Sequence, residues 1–212
     1  MPEDESKFVH GRLYHRLFDP PLAECRKVVA GLVVEGSSVL DIACGTGELC
    51  FRLCEEKHCR VVGIDLSRRQ LDFAKKSNRL GDIEFLHLDA SDLAGFGPRA
   101  FDYAMVQLLM HELPREKQLK VLAEALRVAR TVVIVEAKAP LPKNAYGLAL
   151  RIVEAAVGPS DYQLFREFLA GGGIMGLLKD SPLPIEVVHR SVFWHNCREV
   201  VALSGQEDIR LA

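Results

Sequence analysis

Apolar residues along the chain gather into short runs, VLDIA at 39–43, VVGI at 61–64, IEFLHL at 83–88, FDYAMV at 101–106 and TVVIV at 131–135, the first, second and fourth followed by a helix-like stretch. Runs of this length, rich in β-branched residues, fit strands buried on both faces. They predict strands over Ser38–Ala43, Arg60–Asp65, Ile83–Asp89, Phe101–Leu108 and Thr131–Glu136, with helices near Gly47–Glu56, Ser67–Leu80 and Pro114–Ala129. Alternation of strand and helix calls for a parallel sheet covered on both faces.

After Ala139 the pattern changes. KAPLPKNAYG is broken by prolines and gives way to helical periodicity over Ala145–Val157 and Asp161–Ala170, read as an insertion over the sheet edge. GGGIMGLLKD, Gly171–Asp180, is expected to be either a mobile lid or an exposed turn after a helix. PIEVVHRSVFW and REVVALS read as two strands joined by a tight turn at His195, Asn196 and Cys197, an antiparallel hairpin closing the sheet. Before the first strand, Phe8–Leu32 holds a helix from Pro21 onward, since proline suits a helix start.

The expected architecture is a Rossmann-like α/β fold. It has seven strands, mostly parallel with a terminal antiparallel hairpin, helices on both faces, and a small helical insertion before the last two strands. One domain over 1–212 is expected, divided into a helical arm (1–36), a core (37–139), a helical cap (140–180) and the hairpin (181–212).

Composition narrows the function classes. A net charge of -2 gives no overall attraction to a phosphate backbone, so nucleic acid is not expected as a partner. No apolar run reaches the roughly 20 residues of a spanning helix, and MPEDESKF is acidic where a secretory signal is basic. The cytoplasm is the expected location. Six cysteines, Cys25, Cys44, Cys50, Cys54, Cys59 and Cys197, lack paired CxxC knuckles and are expected to be buried thiols with no metal.

Ligands of an open parallel sheet bind beyond the carboxyl ends of its strands. After the first strand, CGTGE brings Gly45 and Gly47 to a turn onto a helix, a shape that also suits a dinucleotide. The third glycine of that pattern is absent, since Cys50 holds its place. Asp41 is expected to face the charged end of a ligand, suiting a cation better than a pyrophosphate. Asp65, about 20 residues on, has the spacing of a ribose-binding carboxylate, or caps the next helix. Asp89 and Ala90 stand where an adenine edge would lie, with Ser91 and Asp92 as turn residues.

Together VLDIACGTGEL, GIDLS, FLHLDASDL and FDYAMVQLLMHELP resemble the ordered motifs of class I S-adenosylmethionine-dependent methyltransferases, over about Val39–Glu136. The resemblance implies S-adenosylmethionine as cofactor. It places Asp41, Ala43, Gly45 and Gly47 around the methionine part, Asp65 on the ribose, Leu66 against the adenine, Asp89 and Ala90 at the adenine edge, and the Gln107 backbone carbonyl on the amino group. Ala43 stands where many members carry glycine.

The arm RLYHRLFDPPL resembles the small-molecule branch that includes quinone-biosynthesis and phospholipid methyltransferases, which would let Tyr14 close over the cofactor or simply pack. His111 follows the fourth strand and would be the base for a phenol-type acceptor, or a packing residue of the turn. The fourth strand lacks the Asn/Asp-Pro-Pro-aromatic string of nucleic-acid amino methylation, so the expected acceptor is a small molecule, of quinone or phenol type or a lipid. Two other readings stay open, an NAD-dependent oxidoreductase and a cofactor-binding protein without turnover. Dimerisation is left undecided.

Overall fold

The computed structural model describes residues 24–81 and 83–205. Its first element is a helix over 24–32, α1. The order then runs β1 (Ser38–Ile42), α2 (Glu48–Lys57), β2 (Arg60–Asp65), α3 (Arg68–Ser77), β3 (Glu84–His87), β4 (Phe101–Gln107), a 3-10 turn (Met110–Glu112), α4 (Arg115–Val128) and β5 (Ala129–Ala137). Three helices follow, α5 (Ala145–Val157), α6 (Pro159–Ala170) and α7 (Gly173–Asp180), and then β6 (Ile185–Phe193) and β7 (Arg198–Gly205).

The strands form one sheet in the order β3-β2-β1-β4-β5-β7-β6. The first five pair in parallel, while β7 runs antiparallel between β5 and β6. This is the Rossmann-like arrangement expected, with the hairpin turned at 194–197.

Side-chain alternation sorts the strand residues into two cores. Leu40, Ile42, Ala104, Val106, Val132 and Ile134 pack on one face with Leu122 and Ala125 of α4 and Leu177 of α7. Val39, Val61, Met105, Val133 and Val135 pack on the other with Val29 of α1, Leu53 of α2 and Leu71 of α3. Helix starts follow local chemistry: the Ser67 hydroxyl accepts from the Gln70 amide at α3, and the Asn144 side chain accepts from Gly147 at α5. Among the described residues no helix is long and apolar enough to cross a membrane.

One expectation needs correction, and another is met only in part. The insertion does not lie over the sheet edge: α6 packs on the 3-10 turn that follows β4, and α7 on β5 and α4, so the three helices cap the carboxyl ends of central strands. The glycine run divides: Gly171 and Gly172 form the exposed turn after α6 that was one of its two expected forms, and Gly173 is buried. It opens α7, whose Ile174 and Leu177 are fully buried. A Cβ on Gly173 would meet the Ala139 methyl at 2.8 Å, and one on Gly176 would run into the Gly171 carbonyl. Gly173 thus allows a close approach of the helix to the end of β5, and Gly176 a close approach to the turn that precedes α7.

Candidate active site

β1 stops at Ile42, and the chain turns sharply into α2 through Ala43 (φ 57°), Gly45 (φ 55°) and Gly47 (φ 80°). Gly47 is needed twice over, for its left-handed backbone and because a Cβ there would meet the Phe85 ring at 2.8 Å. Ala43 holds a left-handed conformation that glycine adopts freely, which is why glycine suits that place.

Asp65, at the end of β2, ties this loop to the next. One carboxylate oxygen accepts from the Gly45 amide at 2.8 Å and the other from the Ser67 amide at 2.7 Å. Burial raises its carboxyl above the usual range, against the lowering effect of those two amides and of His87. Asp89, after β3, accepts from the Ser91 amide and hydroxyl at 2.8 and 2.7 Å and lies 3.8 Å from the Lys117 ammonium. Partial burial raises it, but Ser91 and Lys117 outweigh that and hold it below the usual range.

These strand ends open into one cleft of about 500 Å³. Ala43, Asp65, Leu66, Asp89, Ala90 and Gln107 all line it, six of the residues that the sequence singles out. Gly45 is joined to it through Asp65, and Gly47 begins α2 behind it. Tyr14 lies outside the described residues.

Asp41 does not face the cleft. Alternation along β1 puts it on the Val39 face, under α2, where it is 2% exposed and accepts from the Cys50 thiol at 3.2 Å. Burial pushes its carboxyl up to about 7, with Cys50 lowering and Asp65 raising it.

His111 is also placed elsewhere than expected. Its Nδ1 lies 2.6 Å from Glu136 of β5 and its Nε2 3.7 Å from Glu154 of α5, with the Phe165 ring edge-on at 5.6 Å. Burial lowers its pKa, but the carboxylate of Glu136 more than reverses this, and Glu154 adds to it, so the value rises to about 9. It holds its proton at neutral pH and does not line the cleft, so it is not placed to be a base there.

The neighbour, Glu112, does line the cleft, together with Leu108, Leu109, Leu113, Lys117 and Val121. Successive residues of a 3-10 turn point about a third of a revolution apart. With His111 drawn inward by Glu136, Glu112 points out. The signal was present in HEL, where the ionisable pair is adjacent, but the string alone does not say which member turns inward.

A family described as a methyltransferase domain matches residues 39–131, from β1 to the start of β5 and across every loop that lines the cleft. Over that segment this chain is similar to class I S-adenosylmethionine-dependent methyltransferases, and its fold is theirs. A solved S-adenosylmethionine-dependent methyltransferase from Aquifex aeolicus matches its fold with a TM-score of 0.61 at 24% identity, over 90% of this chain and 92% of that one.

Among curated methyltransferases, the O-methyltransferase cnsE of Penicillium expansum is 32% identical over 107 residues, 48% of this chain and 38% of that protein. The demethylmenaquinone methyltransferase of Staphylococcus epidermidis is 32% identical over 133 residues, 59% of this chain and 55% of that protein. The chain thus spans well under two thirds of the length of these relatives.

S-adenosylmethionine is the methyltransferase cofactor, and the cleft suits it in size and charge. Its volume lies within the roughly 300–1,000 Å³ of small-ligand sites. Among the described residues that line it, three carboxylates, Asp65, Asp89 and Glu112, stand against the ammonium of Lys117, for a ligand carrying a sulfonium and an amino group.

Proposed function

We propose that this methyltransferase transfers the methyl group of S-adenosylmethionine to a small-molecule acceptor, a phenol or quinone-type ring or a lipid. The observation that carries the reading is the convergence of carboxylates from the ends of β2, β3 and the turn after β4 on one cleft walled by Leu66, Leu109 and Leu113. Asp65 takes the ribose hydroxyls, since each of its oxygens has a lone pair beyond the amide it already accepts. Leu66 lies against the adenine, Asp89 and Ala90 hold its edge, and Ala43, Gly45 and Gly47 make room for the methionine part near the Gln107 carbonyl. Names of two relatives, an O-methyltransferase and a demethylmenaquinone methyltransferase, support an aromatic acceptor.

Calorimetry with S-adenosylhomocysteine and with NADH tests the cofactor half. Micromolar binding of the first alone is expected, and binding of NADH alone would reverse the reading. Asp65→Ala loses two charge-assisted bonds of about 1.5–3 kcal/mol each, so affinity falls at least about 100-fold. Unchanged affinity would refute its placement. Radiolabelled S-adenosylmethionine with fractionated extract tests the acceptor half: label in solvent-extractable metabolites is expected, and label confined to RNA or protein would overturn it.

A further inference from the structure

We infer that Glu112 is the group that takes the proton from the acceptor, and that the acceptor's nucleophile is an aromatic hydroxyl presented from the β5 side of the cleft. The inference rests on the cofactor reading above and goes beyond it in assigning the acceptor's side of the cleft and its base.

Strand order fixes the geometry. The adenine end belongs to β2 and β3, through Leu66, Asp89 and Ala90, and the methionine end to β1 and β4, through Ala43 and Gln107. The turn Met110–Glu112 continues past β4 and hangs toward β5, because the Glu136 carboxylate of β5 accepts the Met110 amide at 2.7 Å. Glu112 therefore stands across the methionine end from the adenine, where an acceptor must approach in line with the departing sulfur.

Its neighbours leave it as the cleft's available carboxylate. Asp65 is committed to two backbone amides and, in the reading above, to the ribose, and Asp89 is held by Ser91 and faces Lys117. The Glu112 carboxylate accepts no hydrogen bond from any described residue. The groups around it are His111 on its own turn, Glu136 of β5, Glu154 of α5 and Asp161 of α6. The surrounding protein raises its carboxyl, His111 lowers it, and the three carboxylates raise it again. The side chain is exposed to water in the cleft, which tempers the first effect, but the net direction is upward, toward the pH at which a carboxylate becomes an effective base.

As the acceptor oxygen bonds to the methyl carbon, the sulfur–carbon bond breaks and its electron pair stays on sulfur. The hydroxyl proton passes to Glu112. A methyl ether, a neutral thioether and a protonated Glu112 result, so charge and atoms balance.

Sinefungin, which carries a primary amine in place of the methylsulfonium, reads the charge beside the methyl position without needing an acceptor. Its affinity and that of S-adenosylhomocysteine are measured by calorimetry between pH 5.5 and 8.5 on wild type and on Glu112→Gln. A charge-assisted contact is worth about tenfold or more. Wild type is expected to prefer sinefungin by that factor at pH 8 and less as Glu112 is protonated, and Glu112→Gln to bind both ligands alike at every pH. A preference unchanged in Glu112→Gln, with S-adenosylhomocysteine bound equally by both proteins, would overturn the inference alone. Failure of wild type to bind S-adenosylhomocysteine would overturn the cofactor reading and this inference with it.

Discussion

Replacing Glu136 by glutamine should remove a pH-dependent share of the fold's stability. Glu136 is fully buried, 2.6 Å from His111 Nδ1, and its carboxylate is held below the usual range: burial raises it, and His111, Arg198 and the Met110 amide overcome that. His111 in turn is raised from 6.5 to about 9. The folded protein therefore binds the His111 proton more tightly than the unfolded chain. That stability is fully present below about pH 6.5 and is lost as pH rises through about 9.

About two and a half pH units at 1.36 kcal/mol each give about 3 kcal/mol, in line with the cost of breaking a buried ion pair. Urea unfolding at intervals from pH 6 to 9.5 should show Glu136→Gln less stable than wild type by about that amount at pH 6, with the gap closing by pH 9.5. Groups common to both proteins, Asp41 among them, cancel in the difference. An NMR titration of the His111 ring should give a wild-type midpoint well above 6.5 that falls in the variant. A gap constant with pH, or a wild-type midpoint below 6.5, would refute the pairing.

Two further predictions concern the corrected elements. Asp41 is raised to about 7, so the fold should lose about 1.4 kcal/mol for each pH unit between roughly 4 and 7 through this group; Asp41→Asn should flatten that slope in urea unfolding, and an unaltered slope would place Asp41 in water. Gly176→Ala forces a methyl against the Gly171 carbonyl and should cost about 1–3 kcal/mol. It should lower the melting temperature by several degrees, whereas an unchanged melt would mean that the turn at Gly171 does not fold back against α7.

The core of the fold was legible because its strands carry their own signal. RVVGID matches β2 to the residue, and AYGLALRIVEAAV matches α5, since a buried parallel strand is nearly continuous in apolar residues and Gly158 closes that helix. What the pattern could not give was direction. Asp41 lies in the strand next to the cofactor loop, and nothing in VLDIA says whether position 41 shares a face with Leu40's neighbours in α4 or with Cys50 in α2. That depends on the register of β1 against β2 and β4. The glycine run left two readings open for a related reason. Glycine signals freedom when exposed and close approach when buried, and only the packing of α7 against Ala139 separates the two.

The same ambiguity decided the most consequential pair. In His111-Glu112 both residues are ionisable and both follow β4, and position after that strand, the ground on which the sequence offers His111 as a base, serves either of them. Glu136, in a strand 25 residues further along, reverses the choice: it draws His111 into the interior as a cation and so turns Glu112 toward the cleft. Glu154 binds the same cation from α5, and Arg198 of β7 lies 3.9 Å from Glu154. Cap, turn and hairpin are therefore joined by one buried chain of charge, whose outer neighbour is the carboxylate at the acceptor side. The aim of Glu112 therefore depends on α5 through Glu154, which meets His111, although none of the described residues of the three cap helices lines the cleft itself.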